Sequence, residues 1–75
     1  MTYDDFKEYI MAEVKKFRKP FPFIRKGQAV FNIVESHFGV ARSVQFVDHI
    51  DCFHRDQDIE AFLQAAWKRI EPNLK

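Results

Sequence analysis

Apolar residues recur along this chain with a helical period. From Tyr3 to Arg18, Phe6, Ile10, Val14 and Phe17 follow one another at spacings of four, four and three, with Tyr3 one turn earlier. That is a single stripe on a helix. Thr2 stands where an N-cap belongs, and Asp4 and Asp5 occupy the first turn. Lys15, Lys16, Arg18 and Lys19 crowd the far end, so both termini oppose the helix dipole, and Pro20 forbids continuation. A second stripe, Val30, Ile33, Val34, His37 and Phe38, widened by Phe31, predicts a helix over about Gly27 to Phe38. Gly39 is then the left-handed residue that ends it. Val40, Val44 and Val47 predict a short third helix over about Ala41 to Val47, where β-branching lowers helix propensity and leaves a strand open. The last stripe, Ile59, Phe62, Leu63, Ala66, Trp67 and Ile70, is the clearest. Asp56 or a neighbour caps it, and Pro72 closes it.

Two connections separate these stripes. Lys19 to Lys26 holds Pro20 and Pro22, which stiffen it into an extended path. Phe21, Phe23 and Ile24 are too apolar for an idle loop, so at least one is expected to pack back on the core. Asp48 to Asp56 is irregular and mixed in polarity, and reads as a loop. The fold class predicted is all-α: a small irregular bundle of three main helices plus one short helix, built around phenylalanines and Trp67.

Composition narrows this picture. Seventy-five residues make one domain, 1–75, and a chain of that size hides only about 60% of its unfolded surface. A deep enclosed cleft is excluded. Nine phenylalanines compensate for the small core, at roughly 25 cal/mol per Å² of apolar area buried. The single cysteine, Cys52, cannot form an internal disulfide, which favours a cytoplasmic home. No leader peptide opens the sequence and no run approaches the roughly 18 apolar residues of a membrane span. The net charge of +1 implies no partner.

The distribution of charge says more. Lys15, Lys16, Arg18, Lys19, Arg25 and Lys26 gather six of the twelve cations with no acid among them, and Phe17, Phe21 and Phe23 interleave. Phosphate backbones attract such a cluster and exposed rings stack on bases. The bland alternative is dipole compensation at a helix end with phenylalanines in the core. Arg25 and Lys26 do not fit that alternative, since they precede a helix start. Gln28 and Asn32 lie four apart on one helical face, where amides read base edges or a peptide backbone, or simply bond a neighbouring loop.

The run Arg25-Lys26-Gly27-Gln28-Ala29-Val30-Phe31-Asn32, the turn Asp51-Cys52-Phe53-His54-Arg55-Asp56 and the helix with Phe62-Leu63 and Trp67 resemble a group of small phage and prophage proteins. Their pattern is Arg-x-Gly-Gln-aliphatic-Phe-Asn, then Asp-Pro-Phe-Tyr-Asp-Asp, then a helix with Phe-Leu and a late Trp. Cys52 replaces the proline, and His54-Arg55 replaces Tyr-Asp. The resemblance spans Arg25 to about Ile70. It implies a mobile-element origin and a small helical fold, and no activity.

Three further constellations carry less. Val30–Phe38, Gly39 and Val40–Val47 have the order of a helix-turn-helix, with Arg42, Ser43 and Gln45 toward a groove, but Glu35 sits where that motif wants a small residue. His49, Cys52 and His54 offer metal donors at a spacing that matches no structural zinc motif. Nucleophilic catalysis at Cys52 lacks an orienting partner or an oxyanion device. Five acids between Asp48 and Glu60 against Arg55 alone face the basic stretch, which suggests a homodimer. The expectation is therefore a non-enzymatic interaction module without metal or cofactor, binding a protein partner through Arg25, Lys26, Gln28 and Asn32 with Phe21 and Phe23 adjoining. The alternative is a nucleic-acid-binding protein that uses the six cations of residues 15 to 26.

Overall fold

Thr2 caps the first helix as its position predicts. Its hydroxyl accepts the Asp5 N–H at 3.2 Å, and the Asp5 carboxylate accepts the Thr2 N–H at 3.2 Å. This capping box satisfies two donors that the helix itself leaves orphaned. The computed structural model, which describes residues 1–73, holds four α-helices: α1 (Tyr3–Arg18), α2 (Lys26–Phe38), α3 (Ala41–Phe46) and α4 (Ile59–Ile70). Single 3-10 turns at Asp56–Asp58 and Glu71–Asn73 flank α4. The described residues contain no strand, so the bundle is all-α and the strand reading of residues 41–47 falls. No helix among them is long and apolar enough to cross a membrane.

The predicted stripes face one core. Phe6 stacks on Trp67 with centroids 5.2 Å apart and meets Phe38 edge-on at 5.6 Å, joining α1, α2 and α4 through three rings. Phe31 lies between Phe62 at 5.8 Å and the edge of Phe53 at 5.4 Å. Ile10, Val30, Val34, Val44 and Leu63 are fully buried around them, and no charged or polar residue is buried among those described. Each such side chain contributes about 1.5–3 kcal/mol by leaving water. Gly39 ends α2 at φ 70°, and its N–H reaches the Glu35 carbonyl at 2.9 Å and the Val34 carbonyl at 3.2 Å.

Several expectations need correction. α3 gives the core only Ala41 and Val44, while Phe46 and Val47 are 69% and 65% exposed. His37 is also outside the core. It lies exposed on α2, where its Nδ1 meets the Tyr9 hydroxyl at 2.7 Å. Asp56 does not cap α4 through its side chain. It accepts the Gly27 N–H at 3.0 Å, so the first turn of α2, which has no acid of its own, receives its negative charge from a distant loop. Of the apolar residues in the first connection, Ile24 packs against the core, whereas Phe21 and Phe23 do not.

Candidate functional site

Met11, Lys15 and Arg18 recur on α1 at spacings of four and three, one position beyond the core stripe of Ile10, Val14 and Phe17. With Val14, Lys19 and Lys26 they line an open groove of about 590 Å³. Met11 and Val14 form its apolar floor. The cations form its rim, and no acid lines it. Proximity brings Lys26 there: α2 starts beside the end of α1, so two cation clusters separated in sequence share one groove.

These cations differ in what holds them. Arg18 is anchored, its Nε donating to the Ile24 carbonyl at 2.8 Å. Lys16 sits 3.4 Å from Glu13 and lies outside the groove. The ammonium groups of Lys15, Lys19 and Lys26 have no hydrogen-bonding or ion-pair partner among the described residues. The acids are engaged elsewhere. Asp48 takes both Nε and Nη2 of Arg69 at 3.1 and 2.9 Å. Asp51 accepts the Phe53 N–H at 2.8 Å and meets His54 Nδ1 at 3.0 Å. Asp58 lies 3.3 Å from Arg55, and Glu60 accepts Lys7, the Tyr3 hydroxyl and, at 3.2 Å, Gln64. With Asp56 on Gly27, all five acids of the 48–60 stretch have partners within the chain. The acidic face expected to meet the basic one is thus already neutralised or hydrogen-bonded locally.

The segment between α1 and α2 borders the groove. Backbone turns join Phe21 N–H to the Arg18 carbonyl and Ile24 N–H to the Phe21 carbonyl, each at 3.1 Å. The segment is thus a pair of turns rather than the extended path expected from Pro20 and Pro22, and the two prolines and the Arg18 anchor stiffen it. It displays a train of rings: half-buried Phe17 lies 5.8 Å from Phe21, and Phe21 lies 6.2 Å from Phe23 at an interplanar angle of 88°. Phe21 is 45% and Phe23 80% exposed.

The surface expected to bind a protein does not come together as one patch. Arg25 lies along the surface against the 53–54 loop, its Nη1 donating to the His54 carbonyl at 3.1 Å and its Nη2 to the Phe53 carbonyl. Gly27 lies against the same loop. A Cβ there would stand 2.0 Å from the Cys52 carbonyl oxygen and 2.6 Å from Asp56 Oδ1. Arg25 and Gly27 therefore clamp residues 52–56 to the start of α2. At about 100° per residue, Lys26 and Gln28 point to nearly opposite sides of α2. Lys26 lines the groove, whereas Gln28 and Asn32 lie half-buried on another flank, their amides without partners among the described residues.

The remaining constellations separate. Cys52 is fully buried, its thiol donating to the Gly27 carbonyl at 3.4 Å. Burial, and then the Asp51 charge, push that thiol up to about 12, which keeps it in the protonated, weakly nucleophilic form. His54 is at the surface on Asp51, and no group of three His, Cys, Asp or Glu side chains among the described residues is placed to hold a metal ion. α3 has only six residues, and Glu35, the misfit in the helix-turn-helix register, accepts the Arg42 N–H at 3.2 Å at the start of α3. Arg42 and Gln45 line a shallow depression with Phe31, Phe46, Phe53 and His54. Sequence reasoning missed Met11 and Val14 as a groove floor, although the mixed apolar and cationic stripe beside the core stripe carried that signal. Comparison with family models, curated proteins and solved structures finds no match to this chain.

Proposed function

We propose that this chain is a non-catalytic binding module that takes a nucleic acid in the groove between the end of α1 and the start of α2. One observation carries the reading: Lys15, Lys19 and Lys26, all without intramolecular partners among the described residues, converge with Arg18 on one groove free of acids. Like charges gathered without counter-charges repel one another, and a polyanion relieves that repulsion while releasing its own counterions. The net charge of +1 means that this attraction is local. Contact with three or four phosphates gives a slope of log K against log salt of about −2 to −4.

The test is fluorescence anisotropy with labelled oligonucleotides between low and moderate salt. The triple variant Lys15→Ala/Lys19→Ala/Lys26→Ala is expected to lose about tenfold or more in affinity at low salt and most of the salt slope. Lys16→Ala, outside the groove, is expected to change little. Equal losses from Lys16→Ala and the triple variant would remove the groove as the site.

A protein partner is the second reading, supported by exposed Phe46 and Val47 beside the Arg42–Phe53 depression. A second copy of the chain is the simplest such partner. The resemblance to small phage and prophage proteins supports a mobile-element origin. The single buried, unbridged cysteine supports a reducing, cytoplasmic compartment.

A further inference from the structure

We infer that the nucleic acid taken by this groove is single-stranded, with Phe21 and Phe23 as the rings on which its bases stack. The inference rests on the groove reading above and adds to it the chemistry of the neighbouring loop. Phe23 leaves 80% of its surface in water and Phe21 45%, although Ile24 beside them is packed on the core. The chain thus has a route to the core here and keeps two large rings off it. The backbone that carries them is fixed by local bonds. Phe21 rests on half-buried Phe17 at 5.8 Å, its N–H is held by the Arg18 carbonyl at 3.1 Å, and Arg18 Nε closes the segment onto the Ile24 carbonyl at 2.8 Å. A loop backbone held in advance loses little freedom on binding.

Arg18 also lines the groove. One side chain therefore links the cationic rim to the loop that carries the rings, and phosphates on the rim bring adjoining bases to Phe21 and Phe23. The two rings stand edge to face at 88°, 6.2 Å apart, so their contact takes up one face of one ring rather than a face of each, as a face-to-face stack would. A duplex keeps its base faces inside the stack, and it would have to be unstacked for such rings to enter. An unpaired strand presents those faces without that cost.

The experiment uses the full chain and three labelled probes in anisotropy at low salt: a 12-nucleotide oligo(dT), a 12-nucleotide oligo(rU) and a 12-base-pair mixed-sequence duplex. At least one single strand is expected to bind about tenfold or more tightly than the duplex. The double variant Phe21→Leu/Phe23→Leu is expected to lose about tenfold or more on the single strand and less than twofold on the duplex. Both positions are exposed, and circular dichroism with thermal melting checks that the variant folds. Single-strand binding unchanged by the leucines, or a duplex bound as tightly as both strands, would overturn the stacking inference and leave the groove reading standing. Binding to no probe at low salt would overturn both.

Discussion

Gly27 and Gly39 are glycines for unrelated reasons, and substitution separates them. At Gly39 the backbone is left-handed, with open space around the missing side chain. Gly39→Ala is expected to cost about 1–2 kcal/mol through conformation alone. At Gly27 the obstacle is the Cys52 carbonyl, 2.0 Å from where a Cβ would stand. Because the obstacle is backbone, Gly27→Ala is expected to cost about 2–3 kcal/mol and to loosen the 52–56 loop. Urea denaturation gives both values, and a Gly27→Ala cost at or below that of Gly39→Ala would mean the loop yields easily. Residue by residue, the sequence was legible where a side chain acts on its own element. Thr2 at a helix start and Gly39 after an apolar stripe follow local rules. Arg25, Gly27 and Asp56 were not legible, because each bonds a residue far along the chain, and a charge next to a helix start looks the same whether it faces solvent or a loop carbonyl.

Elements were the most readable level, since periodicity fixes which face of a helix is buried. The exceptions lie where a stripe is short. α3 offered three valines in pattern, and with six residues it buries only one of them. The joint between α1 and α4 also escaped the pattern, because polar residues make it. Glu60 of α4 gathers Lys7 and Tyr3 of α1, and the Lys7 bond, then that of Tyr3, hold its carboxyl down at about 2, from an ordinary 4.5. The folded chain thus binds fewer protons than the unfolded one between those values, so stability contributed here is complete above about pH 4.5 and lost as pH falls toward 2. Asp48 and Asp51, lowered by Arg69 and His54 respectively, add in the same direction. Melting temperatures from pH 2 to 6 are expected to fall less steeply for Glu60→Gln than for the parent. Its exposure keeps the effect modest, and parallel curves would show that the joint contributes nothing measurable.

For the molecule as a whole, charge is arranged so that the five acids of residues 48–60 are tied down within the chain while Lys15, Lys19 and Lys26 are left over around one groove. That sorting decides which surface is available, and a list of charges cannot reveal it. Lys15, Lys16 and Lys19 look alike in sequence, yet only Lys16 has an acid within reach. The same sorting weakens electrostatic self-association and leaves Phe46 and Val47 as its best support. A stable dimer buries about 800 Å² per partner, a large share of the 4960 Å² this chain exposes. Two apolar side chains fall well short of that. Light scattering is therefore expected to give a 9.0 kDa monomer at tens of micromolar, with association only near millimolar concentration, removed by Phe46→Lys. A monomer throughout would remove the second copy as partner.

The stack of Trp67 on Phe6 makes the molecule its own reporter. Trp67 is the sole tryptophan and sits 7% exposed where α4 meets α1, while the groove takes its lining from the last turns of α1 and the first residue of α2. Indole emission therefore follows the parting of the helices from a position outside the groove lining, so one cuvette can show whether a variant that has lost its grip has also lost its shape.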